Sequence, residues 1–334
     1  MPLSLAAQHE LKLKRLDQAL EQHAVPSPSI ALSPSPRALG YRSRIRLRID
    51  PSGVIHFFNQ NKPASCAVLE PALRERLEAL LGLSRETPRL FSAFSHLELR
   101  SDDTFGRPGL ALGGMHSDFA ALLKPAAEVA SALDTYLVGV RGDPDIVAQR
   151  RRIVDDVWAW VPLDAFWQIN AELNALLVTA LRAGAAQRGL STLLDLYAGA
   201  GNFSIPLAAA GASTCAVEIH APAVRSLATA VAAQGLLCEA YAEPAQVACE
   251  RLQAEGRSFQ LVLIDAPRAG AREVVSAAAK LSSRSIAVCS CNVQTLARDL
   301  AAFRAYGFEL EELRAFDMFP HTDHLEALAW LTRS

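Results

Sequence analysis

"LLDLYAGAGNFSIPLA", residues 193–208, decides the fold. A short apolar run ends in a tyrosine, two glycines flank one alanine, and a stretch of helical composition follows. The string reads as strand, glycine loop and helix. Such a loop brings a ligand close to the backbone N–H groups at a helix start. A nicotinamide-binding fingerprint needs another glycine three residues after Gly201, and that place is Ser204. By itself the loop is also compatible with a plain tight turn.

Toward the C-terminus the pattern repeats. The apolar runs "TLLDLY", "TCAVEI", "LCEAYA", "FQLVLID" and "SIAVCS" are each followed by an Ala-rich helical stretch. Short buried strands alternating with helices predict a mostly parallel, doubly wound sheet. The last two runs, "FELEELRAFDMF" and "HLEALAWL", have no helix between them and predict a terminal antiparallel hairpin.

The polar residues at the ends of these strands carry the chemistry. Glu218 closes the second strand, where an acid can hold a ribose diol; the plainer reading is an exposed strand-end acid. With Asp195 in the first strand and the G-A-G loop, Glu218 points to S-adenosylmethionine rather than NAD. Asp265 ends the fourth strand at the same edge, where doubly wound sheets bind ligands. Arg268 stands where amino-methyltransferases carry a stacking aromatic residue, which speaks against amine methylation. In "SIAVCSCN", Cys289 lies inside the apolar run and reads as a small core residue. Cys291 lies at the strand end before a helix expected over 294–305, whose N-terminus favours thiolate there. Cys291 is the candidate nucleophile. His321 and His324 share a turn with no third convergent ligand, so no metal is expected. Glu326 opens an apolar terminal strand, an odd place for an acid unless the strand borders a pocket.

Toward the N-terminus, residues 5–23 predict an amphipathic helix, and "PSPSIALSPSPR" (26–37) reads as a linker. Residues 162–170 read as a loop entering a helix over 171–187. Between the linker and that loop, strand-like runs (41–49, 54–58, 92–100, 152–161) alternate with helical ones (68–82, 118–134), an α+β pattern. Residues 1–160 carry 20 Lys+Arg against 18 Asp+Glu, the remainder 13 against 17. Arg42, Arg44, Arg46 and Arg48 alternate with Ser43, Ile45 and Leu47, so a strand sends the four guanidinium groups to one face. That face is either a solvated outer surface or a ridge for phosphates.

The net charge of −2 gives no overall sign of a nucleic-acid partner. No apolar run reaches membrane-spanning length and the start has no signal-peptide core, so neither membrane nor export is expected. Six scattered cysteines fit free thiols in a reducing cytoplasm.

At this point the strings "FWQIN" (166–170), "DLYAGAGNF" (195–203), "DAPRAG" (265–270), "SCNVQTLARDL" (290–300) and "DMFPHTDHLE" (317–326) resemble, in order, the motifs of the RNA uracil-C5 methyltransferases. "QHELKLKRLDQAL" resembles that family's leading helix, and "YRSRIRLRI" the first strand of its RNA-contacting domain. The resemblance implies an α/β protein. Its C-terminal Rossmann-like methyltransferase domain (161–334) would follow a leading helix and linker (1–40) and an α+β RNA-contacting domain (41–160). It implies 5-methyluridine formation in tRNA or rRNA, with S-adenosylmethionine as cofactor, Cys291 as nucleophile and Glu326 as general base. Gln168, Tyr197, Asn202, Glu218 and Asp265 would surround the methyl donor and target base. Arg42, Arg44 and Arg46 would contact RNA, and the enzyme would work as a monomer in the cytoplasm.

The chemistry requires those residue types. Uracil C5 is a poor nucleophile until a thiolate adds to C6, and afterwards a carboxylate must remove the C5 proton. A free thiol, with pKa about 8.5, needs help to ionise at neutral pH. Two prolines of the family pattern are replaced here by Ala266 and Val293, with no reactive group lost. Cys66, in "ASCAVLEP", resembles the fourth ligand of the iron–sulfur cluster of ribosomal-RNA members, but no cysteine precedes it. No cluster is expected. The layout is that of tRNA-type members while the motif details are nearer the rRNA type. A non-catalytic RNA-binding protein and a cytosine-C5 methyltransferase are the competing readings; retention of both Cys291 and Glu326 weighs against the first, and the lack of a Pro-Cys or Thr-Cys context against the second.

Overall fold

The computed structural model describes residues 3–57, 66–101, 108–114, 119–140 and 148–333. Residue 58 of the expected strand 54–58 and residue 118 of the expected helix 118–134 lie outside the described residues. The chain runs α1 (Leu5–Gln22), β1 (Ile30–Ser33), β2 (Arg44–Ile49), β3 (Ile55–His56), α2 (Pro71–Glu86), β4 (Phe94–Arg100) and β5 (Gly109–Gly114). It continues through α3 (Phe119–Ala132), β6 (Tyr136–Val140), β7 (Gln149–Val154), β8 (Val157–Val161), α4 (Ala171–Gln187), β9 (Thr192–Leu196), α5 (Ser204–Ala209) and β10 (Ser213–Glu218). Last come α6 (Ala221–Ala233), β11 (Cys238–Ala242), α7 (Ala245–Ala254), β12 (Phe259–Asp265), α8 (Val275–Leu281), β13 (Ser282–Ser290), α9 (Val293–Arg304), β14 (Phe308–Phe316) and β15 (Glu326–Arg333). Two compact units result: residues 1–38, 153–159 and 172–334 form the larger, and 39–152 and 160–171 the smaller.

The larger unit is built on an eight-stranded sheet of order β1-β14-β15-β13-β12-β9-β10-β11. All neighbours are parallel except the two pairs made by β15. The sheet is the expected one, with β14 and β15 as the terminal hairpin. Order reverses between β9 and β12, the place where such sheets bind ligands beyond their carboxyl ends. Strand parity sorts the side chains. Leu194, Leu196, Val262, Ile264, Ile286, Val288, Ala327, Ala329 and Leu331 join one apolar core with residues of α1, α7, α8 and α9. Asp195, Asp265, Cys289 and Glu326 hold the opposite parity on those strands, so they leave the sheet on its other face.

The linker expectation for residues 26–37 is corrected within this unit. Ile30–Ser33 pairs in parallel with β14 as the sheet's edge strand. Flanking prolines rule out a helix but are tolerated at an edge, where one row of backbone groups needs no partner. α1 is capped by Ser4, whose hydroxyl accepts from Ala7 N at 3.2 Å. Its Leu16, Ala19 and Leu20 are buried in the shared core, each leucine contributing roughly 1.5–3 kcal/mol.

The smaller unit carries a five-stranded sheet of order β3-β2-β4-β5-β6, antiparallel except for β5 with β6. One face buries Ile45, Leu47, Ile49, Leu97, Leu99, Leu110 and Leu112 with Leu73, Leu77 and Leu80 of α2 and Leu122, Ala126 and Val129 of α3. The sequence missed β5 because "GLALGG" has little strand propensity. A Cβ at Gly113 would lie 1.9 Å from the His96 ring, so glycine is what lets that ring lie across the sheet. The run expected as one strand over 152–161 is the hairpin β7–β8, broken where Asp155 adopts φ +51°. Aspartate tolerates that left-handed turn, and the Asp155–Asp156 pair is the turn signal that the single-strand reading passed over.

Candidate active site

The glycine loop follows β9 with Tyr197, Gly199 and Gly201 at φ +66°, +57° and +94°. A Cβ at Gly201 would lie 2.5 Å from Leu227 and 2.8 Å from Ile205, so only glycine allows α5 and α6 to close on the loop. A Cβ at Gly199 would meet no heavy atom within 4 Å, so that side of the loop is open. Glu218 accepts from Gly199 N at 3.0 Å and His220 N at 2.8 Å, which fixes its carboxylate at the loop's rim. Asn202 exchanges amide hydrogen bonds of 2.8 and 3.0 Å with Asn174 of α4. Tyr197 donates its hydroxyl to Glu273 at 3.1 Å, and burial together with that carboxylate raises the phenol's pKa. Beneath the loop Asp195 is fully buried and accepts from the Ser204 hydroxyl. Its Oδ1 has no partner among the described residues, and burial pushes the acid up to about 7.

Three strand ends then bring titratable groups together. Asp265 lies beside Cys289 in the β12–β13 register. β13 and β15 pair Cys289 with Leu328 and Ser290 with Ala327, so one more step sets Cys291 across from Glu326. Asp265, Cys289 and Glu326 offer ligand atoms all within 4.8 Å of one another. The Cys289 thiol donates to Glu326 Oε1 at 3.4 Å. Glu326 is 3% exposed, and burial pushes it up to about 7. Asp265 rises as well, through burial and the neighbouring Glu326 carboxylate.

Two readings change here. Cys289 is wholly buried, as a core residue should be, yet its thiol meets an acid rather than apolar packing. For Cys291 the expected thiolate bias of the helix start does not dominate. α9 begins at Val293, but the Asn292 side chain already accepts from Gln294 N and Thr295 N. Burial raises the Cys291 thiol first, and Glu326 adds to it.

What draws that thiol back down is Arg268, which lies against it. Sequence reasoning used Arg268 only as a missing aromatic. Its placement comes from the loop after β12: the Arg268 carbonyl accepts from Asn292 Nδ2 at 3.0 Å and Thr295 Oγ1 at 3.3 Å. Ala269 O accepts from Arg298 at 3.0 Å, and Asp299 accepts from Ala271 N at 2.6 Å. Gly270 holds φ +85°, which a side chain would strain, and an added Cβ would crowd the Arg298 guanidinium at 2.3 Å and the Asp299 carboxylate at 2.6 Å. Arg268 Nη2 also lies 3.3 Å from His324 Nε2, whose pKa falls through burial and this cation.

The turn carrying His321 and His324 is held from α1. Gln8 Oε1 accepts from His321 N at 3.0 Å, while Lys12 and His9 reach the buried Asp317 at 2.5 and 2.9 Å. Gln168 is 4% exposed within the smaller unit, where its loop is tied down by Ser43 N donating to Ile169 O at 2.8 Å. On β2 the alternation holds: Arg46 and Arg48 are exposed and Arg44 half-buried. Half-buried Arg42 donates from Nε to Arg44 O at 2.8 Å. Cys66 is half-buried and packs against the apolar core of this unit.

The family model described as tRNA (uracil-5-)-methyltransferase matches residues 140–334. The chain belongs to this family. The 23S rRNA (uracil(1939)-C(5))-methyltransferase of Chromohalobacter salexigens is 32% identical over 99% of this chain and 73% of its own length. That of Pseudomonas entomophila is 32% identical over 78% of this chain, and the match spans 59% of the relative. Among solved structures, the Pyrococcus abyssi tRNA (uracil-54, C5)-methyltransferase in complex with S-adenosyl-L-homocysteine superposes with a TM-score of 0.74. It covers 98% of this chain and 84% of its own at 23% identity, a likeness of fold. In this member of the uracil-5-methyltransferase family, "DLYAGAGNF", "DAPRAG" and "SCNVQTLARDL" all begin at carboxyl ends of sheet strands, and "DMFPHTDHLE" leads into β15. No helix among the described residues is long and apolar enough to cross a membrane.

Proposed function

We propose that this chain methylates C5 of a uridine in RNA, with Cys291 as nucleophile, Glu326 as general base and S-adenosylmethionine as methyl donor. The observation that carries the reading is the meeting of Cys291, Glu326, Asp265 and Arg268 at one sheet edge next to an open glycine loop. The loop suits a nucleoside. Gly199 leaves space, Glu218 offers an acid for ribose hydroxyls, and Ile219 beside it is a 67% exposed apolar surface. Tyr197, Asn202, Glu218 and Asp265 would hold the donor, and Gln168 joins them through the resemblance of "FWQIN". S-adenosylmethionine, held there, supplies an electrophilic sulfonium methyl group.

The chain's own groups do the rest. Arg268 favours the Cys291 thiolate, whose sulfur bonds to C6 and makes C5 enolate-like. Once C5 is methylated it still carries its proton, which Glu326 removes; the C6–S bond then breaks and returns the thiolate. A base near pKa 7 is well matched to that task at neutral pH. The target must leave its stack to reach the thiol, and Arg42, Arg44 and Arg46 would bind phosphates. The two curated relatives act, by their names, on 23S rRNA, which favours ribosomal over transfer RNA.

The test is Glu326→Gln with RNA and methyl-labelled donor. The near-isosteric amide leaves addition and transfer possible but blocks elimination. A labelled Cys291–RNA adduct should survive denaturing electrophoresis, with ribosomal RNA trapped in preference to tRNA. Normal turnover without an adduct would remove Glu326 as the base, and nucleoside mass spectrometry without 5-methyluridine in wild-type reactions would remove the activity.

A further inference from the structure

Cys289 is unlike a packing residue in one respect: its sulfur is fully buried and hydrogen-bonds the acid proposed as the base. Among the described residues the thiol, at 3.4 Å from Oε1, is the hydrogen-bond donor that reaches the Glu326 carboxylate. Both backbones are fixed, because β13 sits between β12 and β15 in the middle of the sheet. Cys289 faces Leu328 in the register, so Glu326 is its diagonal neighbour on the same face, within reach of a side-chain pair. The diagonal contact occupies one carboxylate oxygen. The second, Oε2, is left for another proton.

We propose that Cys289 is a positioning residue, whose S–H holds Glu326 in the rotamer from which Oε2 takes the proton from C5 of the methylated uracil. No bond of Cys289 forms or breaks. The inference rests on the reading of Glu326 as base. The groups acting on that carboxylate among the described residues are Cys289 of β13, Cys291 one residue past that strand and Asp265 of β12, while Arg268 acts on the Cys291 thiol; Phe316 opposite on β14 is uncharged. Among the described residues the thiol is the one direct donor to Glu326, and it pulls against the burial that raises the acid. Without it the carboxylate is both less fixed and harder to ionise.

The experiment follows the covalent RNA adduct in single turnover for Cys289→Val, Cys289→Ser and wild type, with Glu326→Gln alongside. Valine keeps the strand preference, with a slightly larger side chain, but cannot donate; serine can. Cys289→Val should slow adduct decay about tenfold while donor affinity and adduct formation stay near wild type. Removing a donor raises the acid's pKa, so the rising limb of decay against pH should move to higher pH. Cys289→Ser should restore both. Should Cys289→Val not fold, Cys289→Ala, which leaves space rather than strain, carries the same comparison. Decay at the wild-type rate in the valine or alanine variant, or no rescue by serine, overturns the inference. If Glu326→Gln traps adduct while Cys289→Val behaves as wild type, this inference alone falls; if Glu326→Gln traps none, the base assignment falls with it.

Discussion

Glu98 in the smaller unit and Glu326 in the larger are both almost wholly buried, at 4% and 3% exposure, and their surroundings could hardly differ more. Glu98 receives the Arg100 guanidinium, which also reaches Gln149 Oε1 at 3.0 Å and Leu163 O at 2.9 Å. Asp317, in the larger unit, is satisfied in the same way by Lys12 and His9. Glu326 has a weak thiol donor and a second acid, Asp265, for company. A buried acid with its cation is a structural element, already neutralised. One without it stays dear to ionise, and a fold keeps such a group where a proton must be moved. Burial alone therefore does not separate the two kinds of acid; their partners do.

The comparison breaks most sharply at Cys291, the proposed nucleophile. Cys291→Ala should bring methyl transfer down to background, a loss on the order of a million-fold if the thiol is essential, with no more than about 1 kcal/mol lost in stability for a half-buried truncation. Isotope incorporation at equal folded fraction checks it, and measurable turnover would return the uncompensated cluster to mere structure. The mirror experiment is Arg100→Met, which strands Glu98 without its cation. It should cost about 3–5 kcal/mol in denaturant unfolding. A smaller loss would mean that Glu98 is less dependent on its partner than its burial implies.

Much of this was legible in the chain because strand parity is. Asp265 at the end of β12, Cys291 just past β13 and Glu326 at the start of the reversed β15 each bound an apolar run, and that is where the sheet gathers them, while Asp195 and Cys289 lie within their strands and share that face by parity. Arg268 was not legible, since its position depends on Gly270, Asn292 and Asp299 tying one loop to α9 across a long sequence gap. The Cys289–Glu326 contact was hidden for the same reason, being a diagonal across two strands 37 residues apart. In the smaller unit the β2 alternation was plain, whereas β5 was masked by its glycines; the β7–β8 turn at Asp155–Asp156 was passed over in a run read as one strand.

Asp195 sharpens the comparison, because it is buried with a hydroxyl donor and no cation. Its folded pKa of about 7 lies above the ordinary 3.8, so the folded state holds the proton more tightly than the unfolded chain. The sign follows: this stabilisation is complete below pH 3.8 and is lost as pH rises through 7. Asparagine mimics the protonated acid and still accepts from Ser204. Asp195→Asn should therefore match wild type near pH 4 and exceed it at pH 8, by roughly 4 kcal/mol at most, at 1.36 per unit. Urea midpoints across that range measure it. A constant difference between the two proteins would mean that Asp195 does not titrate as its burial implies.

The smallest expected effect belongs to the arginine ridge, where every charge lies near the surface and the structure grades the four residues. Arg46 and Arg48 are exposed, whereas Arg42 has its Nε hydrogen already donated to the Arg44 carbonyl and Arg44 is half-buried. Arg46 also stands opposite Glu98 in the β2–β4 register, and Arg48 opposite His96. If the ridge binds phosphate, each exposed guanidinium lost should flatten the log–log salt dependence of RNA affinity by about 0.7–0.9. Arg46→Gln and Arg48→Gln should each do so, and the pair together should remove nearly twice that. Arg42→Gln should change the slope less, because its guanidinium is already turned to the backbone. Affinity for the methyl donor should not move in any of them. Equal slopes for wild type and the Arg46/Arg48 double variant would make β2 a plain solvated sheet face, and a full-sized effect at Arg42 would mean that RNA draws that side chain off the carbonyl it now holds.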